Sequence, residues 1–165
     1  MFFVRTASER DLEKVRAVML ETFNATYAGL YDALTVQKLI EAGLSPAALK
    51  ARVQKKGGEF LVADDGKQLG GMGFAVMSDT MTKTAILHQL YVKPDLQRQG
   101  IGRDIFAELE TCFPDAEIMR LEVEPDNAQA IAFFSGVGFV EVDRTATSSG
   151  ISGMPVVIME KPLRG

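Results

Sequence analysis

The chain predicts a mixed α/β (α+β) domain, one mostly antiparallel sheet of about seven strands flanked by helices. Three observations predict it. Apolar residues recur at helical spacing through the first third of the chain and switch to the two-residue period of strands near residue 59. The turn DDGK separates EFLVAD from QLGGMGFAVMS, so these two runs form an antiparallel hairpin. From about residue 82 to residue 138 the pattern runs strand, helix, strand, helix, which places two strands parallel and neighbouring.

Taken in order, FFVRTA (residues 2–7) is a first strand of aromatic and β-branched residues. Ser8 caps the helix that follows, with Asp11 three residues later in the manner of a capping box. Leu12, Val15, Val18, Met19 and Phe23 form its apolar stripe. A loop and a second helix from about Thr35 come next. Ser45-Pro46 opens a third helix, cap followed by proline at the first helical position, and Gly57-Gly58 stops it. The hairpin strands follow, and the glycines at 70, 71 and 73 predict a bulge or a close backbone approach. TKTAILHQLYV is the next strand, ended by Lys93-Pro94. GRDIFAELETCF is a helix with Ile105, Phe106 and Leu109 inward, EIMRLEVE a strand, and DNAQAIAFFSGVG a helix capped by Asp126 or Asn127. GFVEVDRT and MPVVIMEKPL are two final strands around the loop TSSGISG.

Composition narrows the class. A chain of 165 residues suits one domain, taken as residues 1–165, with a core that needs no disulfide or metal. Its net charge of −4 disfavours a general nucleic-acid binder. One cysteine and one histidine leave neither a disulfide framework nor a Cys/His zinc site, so no metal is expected. Cys112 reads as a small core residue. The start carries charge at Arg5, unlike a secretory signal, and no apolar run approaches the roughly 20 residues of a membrane span. A protein of the cytoplasm, without membrane attachment, is expected.

QRQGIG (residues 97–102) raises the sharpest question, because two glycines stand directly before a strongly helical stretch. A helix N-terminus carries unpaired N–H groups and partial positive charge, and bare glycine backbone admits an anion to it. Arg98 and Arg103 add charge on either side. A phosphate cradle and an ordinary glycine-rich turn both fit the loop alone; the spacing matches neither the Rossmann nor the P-loop pattern.

The wider segments LHQLYVKPDLQRQGIGRDIF and RLEVEPDNAQAIAFFSGVGF resemble the GCN5-related N-acetyltransferase (GNAT) superfamily. The first carries its strand, valine, proline and Gln/Arg-x-x-Gly-x-Gly/Ala pattern at Gln97, Gly100 and Gly102. The second carries its Asn-x-x-Ala, aromatic pair and Gly-Phe at Asn127, Ala130, Phe133-Phe134 and Gly138-Phe139. The resemblance implies acetyl-CoA as cofactor, its pyrophosphate on the amides of Gln97, Arg98, Gln99, Gly100, Ile101 and Gly102 beside Arg103. It implies that the pantetheine arm runs along Leu90, Tyr91 and Val92 where the two parallel strands splay. It further implies an oxyanion donor near Val92, with Asn127, Phe133 and Phe134 toward the sulfur end.

Two positions depart from the family pattern. The usual glutamate base is replaced by Ile86 and the usual tyrosine acid by Phe134. A thiol with pKa about 8.5 leaves tolerably without an acid, but an amine with pKa about 10 needs a base. His88 shares the strand face of Ile86 and is a candidate base, or else packs at a sheet–helix boundary. Glu122 and Glu124 share a face of the next strand and act through a water, or simply face solvent. Tyr91 is expected on the side opposite His88 and is not counted as an acid.

In this superfamily the acceptor pocket forms from the first helices and the loop between the last strands. Here that implies Phe23, Thr26, Tyr27 and Tyr31, with TSSGISG opposite; i, i+4 spacing makes one stripe of the aromatics if the helix reaches residue 31. ETFNATY loosely resembles the small bacterial polyamine acetyltransferases. The expected function is transfer of an acetyl group, by direct attack on the thioester, to a primary amine of a small molecule, a polyamine among them, or of a peptide. The alternative is a non-catalytic acyl-CoA-binding sensor or partner module. A homodimer through the exposed final strands is compatible with either.

Overall fold

The structure is a computed structural model, and it describes residues 1–146 and 155–164. Strand β1 (Phe3–Thr6) leads through a 3-10 turn into helices α1 (Leu12–Tyr27), α2 (Ala33–Gly43) and α3 (Pro46–Gln54). Strands β2 (Gly58–Asp64), β3 (Leu69–Met77) and β4 (Thr84–Val92) form a meander. Helix α4 (Ile101–Thr111), strand β5 (Ile118–Val123), helix α5 (Ala128–Gly136) and strands β6 (Val140–Thr145) and β7 (Val156–Pro162) complete it.

Local signals explain the ends of these elements. The Asp11 carboxylate accepts from the Ser8 N–H at 2.8 Å, and Asp32, Ser45 and Asn127 accept from the third residue beyond each of them at 2.7, 3.1 and 3.2 Å. Such caps satisfy amides that have no partner inside the helix. Helix α1 stops at Tyr27, so the helical stripe expected to reach Tyr31 is broken by a turn over 28–31. The loop TSSGISG lies outside the described residues.

All seven strands join one sheet in the order β1-β2-β3-β4-β5-β7-β6. The neighbours are antiparallel except β4 and β5, which are parallel. The last strand inserts between β5 and β6, an order that strand-by-strand reading does not disclose. Two apolar layers cover the sheet. On one face Ile101, Ile105, Phe106 and Leu109 of α4 pack against Leu87, Met119, Leu121 and Val157. On the other, Val15, Met19 and Phe23 of α1, with Ile40 and Leu49 of α2 and α3, cover Val62, Met72, Phe74 and Val76. Each such side chain contributes roughly 1.5–3 kcal/mol by leaving water.

The glycines of β3 set how closely α4 lies. A Cβ on Gly73 would sit 2.7 Å from Ile105 and 2.8 Å from Leu109, and one on Gly71 2.6 Å from the Tyr91 carbonyl oxygen. Close approach is therefore the main reason for these residues.

Two irregularities shape the centre of the sheet. The β4–β5 pairing covers only Thr84↔Ile118, Ala85↔Met119 and Ile86↔Arg120, and beyond Ile86 the two strands have no ladder between them. In the β3–β4 ladder Phe74 pairs with Gln89 and Ala75 with Leu87, so His88 is an extra, bulged residue.

Candidate active site

The bulge at His88 decides which way the end of β4 faces. Leu87, Leu90 and Val92 pack in the α4 layer, whereas Tyr91 packs in the α1–α3 layer, the layer that holds Phe74. The His88 ring stacks on Phe74, centroids 5.9 Å apart and planes at 28°. Tyr91 thus lies on the same side as His88, which corrects the expectation from simple alternation: one inserted residue reverses every later side chain.

On that side helices α1 and α3 cover β2, β3 and β4, while β5 and β7 bound an open cleft of about 600 Å³. Ile86 and His88 form one wall, Glu122 and Glu124 the floor, and Val156 and Ile158 the far side. Alternation on β5 buries Met119, Leu121 and Val123 under α4, which sends Arg120, Glu122 and Glu124 to the cleft. Arg120 is bound to Glu160 at 2.8 Å.

Three aromatic rings pack together at the end of α1, joined to the cleft through Glu124. Phe23 and Tyr27 centroids lie 4.3 Å apart, and Tyr31 stacks on Tyr27 at 5.5 Å with planes 2° apart. Tyr31 reaches this position from the turn after α1 rather than from the helix. Phe23 is only 6% exposed and belongs to the core. Tyr27 donates its hydroxyl hydrogen to Glu124 Oε1 at 2.8 Å. Burial raises the phenol pKa of Tyr27 and Tyr91 well beyond the ordinary tyrosine range, and burial with Glu124 nearby pushes Tyr31 up to about 12. All three keep their protons at neutral pH, so each has a hydroxyl hydrogen to donate, as Tyr27 does to Glu124.

His88 is held below its ordinary pKa, first by burial and then by the positive charge of Arg52, with Glu122 acting in the opposite sense. Its surface is exposed, yet its ring lies on Phe74 in a concave wall, where hydration is poorer than exposure suggests. At neutral pH it is an uncharged imidazole able to accept a proton.

Across the sheet, Lys93 leads through a 3-10 turn at Pro94–Leu96 to the start of α4. Arg98 (φ 67°) and Gly100 (φ 89°) both adopt left-handed backbone, and no side chain caps α4. The first amides of the helix therefore face outward without acceptors, with Arg98 and Arg103 exposed beside them. A Cβ on Gly100 would meet nothing within 4 Å, so the surface above the loop is open. Gly102 also makes room on its inner side. Its missing side chain admits the Phe133 ring, which would lie 3.2 Å from a Cβ there. Open helix amides, flanking guanidinium groups and unpaired β4 backbone beyond Ile86 fit a pyrophosphate with an extended amide arm, as acetyl-CoA carries.

The remaining expected residues surround the gap between β4 and β5. Gln97 Nε2 donates to the Val92 carbonyl at 3.1 Å, and Gln129 Nε2 donates to Gln97 Oε1 at 2.8 Å, a bridge from β4 to α5. The Asn127 carbonyl oxygen is engaged as the cap of α5. Phe134 packs edge-on against Phe133 and Phe139 and carries no transferable proton. Cys112 donates to the Glu108 carbonyl, and burial raises its pKa, as befits a packing residue.

Sequence reading did not find Arg52, whose Nε donates to Gln89 Oε1 at 3.1 Å in the wall beside His88. No local signal marks it, since it reaches the site by the docking of α3 on the sheet. Thr22 was likewise hidden; its hydroxyl donates to the Val92 carbonyl at 3.4 Å.

Comparison with known proteins agrees with this geometry. The family model described as the acetyltransferase (GNAT) domain matches residues 25–161. Spermidine N(1)-acetyltransferase of Thermoplasma acidophilum is 28% identical over 142 residues, 82% of this chain and 86% of that protein. The [ribosomal protein bS18]-alanine N-acetyltransferase of Escherichia coli K12 is 36% identical over 76 residues, 45% of this chain and 51% of that one. The crystal structure of PaiA N-acetyltransferase from Thermoplasma acidophilum in complex with coenzyme A superimposes with a TM-score of 0.85 at 26% identity, covering 98% of this chain and 99% of that one. The chain belongs to the GNAT acetyltransferase family and is an acetyl-CoA-dependent N-acetyltransferase.

Proposed function

We propose that the protein acetylates a primary amine bound in the cleft beside the splayed strands, with His88 as general base. The observation that carries this reading is the position of His88: a neutral imidazole in the cleft wall, facing Glu122 and close to where β4 leaves β5. Acetyl-CoA, when bound, would supply an activated thioester open to direct attack by the amine nitrogen, with coenzyme A departing as a thiolate that water protonates.

The chain's own residues have separate tasks. Glu124, held by Tyr27, and Glu122 attract the ammonium form of the acceptor, and the stacked Tyr27 and Tyr31 rings offer it aromatic faces. His88 takes the proton that the amine must shed, and Glu122 assists through a water. The amides of residues 97–102, from the loop into the first turn of α4, would hold the pyrophosphate with Arg98 and Arg103. Leu90, Tyr91 and Val92 supply the backbone edge for the arm, and a β4 N–H near Val92 polarises the thioester carbonyl. Phe133, Phe134 and Asn127 line the sulfur end, and with no protein acid there the sulfur leaves as thiolate, protonated by water.

The acceptor is a small-molecule or peptide amine. Similarity to the spermidine enzyme supports a polyamine, and similarity to the bS18-alanine enzyme supports a peptide amine. One domain over residues 1–165, working in the cytoplasm, completes the proposal; the single cysteine suits a reducing compartment. Among the described residues no helix is long and apolar enough to cross a membrane. Self-association through β6 belongs to the same reading, since Val140 and Val142 on this edge strand are 60% and 48% exposed.

Thiol release from acetyl-CoA at neutral pH, measured against polyamines, amino acids, aminoglycosides and short peptides, tests the activity. Release that depends on one amine class is expected. Tight coenzyme A binding with no release from any amine would point to a non-catalytic module instead. Sedimentation velocity tests the dimer, and a monomer at every concentration removes it.

A further inference from the structure

Beside the acceptor cleft a second hollow of about 540 Å³ opens on the other side of His88. The two share Ser78, Thr80, Ile86 and His88, so they are continuous around the imidazole. Their charges are opposite. The first is floored by Glu122 and Glu124, its Arg120 being paired with Glu160; the second is walled by Arg52 and Lys55, with Asp79 the one acidic group on its rim.

Arg52 is an unusual occupant. Its guanidinium carbon lies 5.9 Å over the Phe74 ring, and its Nε reaches Gln89. Its Nη1 is buried without a hydrogen-bond partner, and among the described residues no carboxylate lies within ion-pair distance of the group. The sequence of residues 147–154 contains no Asp or Glu that could supply one. A half-buried cation normally carries a paired anion, because desolvation disfavours it otherwise.

We propose that the acceptor is zwitterionic: a primary amine in the acidic cleft, with an anionic oxygen group, carboxylate or phosphate, that pairs with Arg52 and Lys55 in the adjoining hollow. This deepens the proposed function and rests on its placement of the amine beside His88. Arginine suits the task because its planar fork binds carboxylate and phosphate through paired hydrogen bonds, while Lys55 adds a mobile charge at the rim. An unsubstituted polyamine would leave Arg52 unpaired and bring further positive charge against it. The arrangement therefore selects amino acids, peptide acids or amino phosphates over plain polyamines.

The test compares butylamine, putrescine, 4-aminobutyrate, alanylalanine and phosphoethanolamine in thiol release by wild type, Arg52→Gln, Arg52→Lys and Lys55→Gln, with coenzyme A affinity and melting temperature measured for each. Wild type should favour an anionic amine over butylamine and putrescine by about tenfold to a hundredfold in kcat/KM, the scale of one charged hydrogen-bonded contact. Arg52→Gln should collapse that ratio through KM, Arg52→Lys should restore part of it, and Lys55→Gln should reduce it less. The carboxylate and phosphate compounds distinguish the two anions. Equal or greater turnover of putrescine by wild type overturns this inference alone. Release from no amine at all overturns the proposed function and this inference with it. If Arg52→Gln loses coenzyme A binding or melts early, Lys55→Gln and Arg52→Lys carry the comparison, and an unchanged ratio in both overturns the assignment.

Discussion

His88→Ala should lower kcat/KM by about a hundredfold to ten-thousandfold at neutral pH, the range that general bases supply. The decrease should shrink as pH approaches the amine's own pKa of about 10, where the acceptor loses its proton unaided. A pH–rate profile with the wild-type shape would return His88 to a packing role against Phe74. Tyr27→Phe tests the acceptor side: it deletes the donor 2.8 Å from Glu124, a charged hydrogen bond contributing roughly 1.5–3 kcal/mol. The expected readout is a raised KM for the amine with coenzyme A binding unchanged; an unaltered KM removes the Tyr27 hydroxyl from acceptor binding. At this scale the sequence was informative but incomplete. The companionship of Ile86, His88, Glu122 and Glu124 follows from alternation on two neighbouring strands. The facing of Tyr91 did not, because a bulge is a property of two strands paired together and His88 has no residue-level mark of one.

The elements carry the next set of constraints, and their glycines separate two physical causes. Gly102→Val should disturb the start of α4, since its Cβ would press on Phe133 at 3.2 Å and on Val92 at 3.5 Å. The expected outcome in calorimetric titration is a loss of coenzyme A affinity of tenfold or more. Affinity equal to wild type would sink the view that the α4 N-terminus holds the pyrophosphate. Gly73→Ala acts on stability instead. Its Cβ would lie 2.7–2.8 Å from Ile105 and Leu109, so α4 must shift, at a cost of about 1–3 kcal/mol. For a chain of this size that lowers Tm by roughly 2–12 °C; an unchanged melt would mean that α4 is free to move. Elements of this kind were legible because caps, prolines and the change of period are local. The helix starts at Ser45 and Asn127 need only the residues around them, whereas α2 begins at Ala33 behind an Asp32 cap, two residues before the expected Thr35. The end of α1 at Tyr27 was less legible, since ATYAGLYD has helical composition up to its glycine and the chain turns there to let Tyr31 stack on Tyr27.

For the whole molecule, the paired motifs made the splayed parallel strands legible, whereas the insertion of β7 between β5 and β6 depends on pairings far apart in the chain. The same assembly gives the protein a stability limited at both ends of the pH scale. Stability rises with pH wherever the unfolded chain binds more protons than the folded one. His88 is held below its ordinary value of 6.5, so the unfolded chain takes up that proton first and stability is lost as pH falls below 6.5. Asp11 and Asp64 are lowered from 3.8, Asp11 chiefly by Arg5 and Asp64 first by the Gly66 amide and then by Arg5, and they add a second loss at lower pH. Tyr27, Tyr31 and Tyr91 have the opposite sign. Raised above 10.0 in the fold, they stay protonated while the unfolded chain ionises, so stability declines as pH rises past 10. The Cys112 thiol, raised from 9.0 by burial, starts the alkaline decline earlier, so melting temperature against pH should show a plateau between about 6.5 and 9 with a fall on either side. His88→Gln should flatten the first part of the acid limb and leave the fall near the carboxylates in place. A wild-type plateau that extends unbroken from pH 7 down to 5 would show that the His88 proton is bound equally in both states, and the neutral base in the cleft would lose its physical ground.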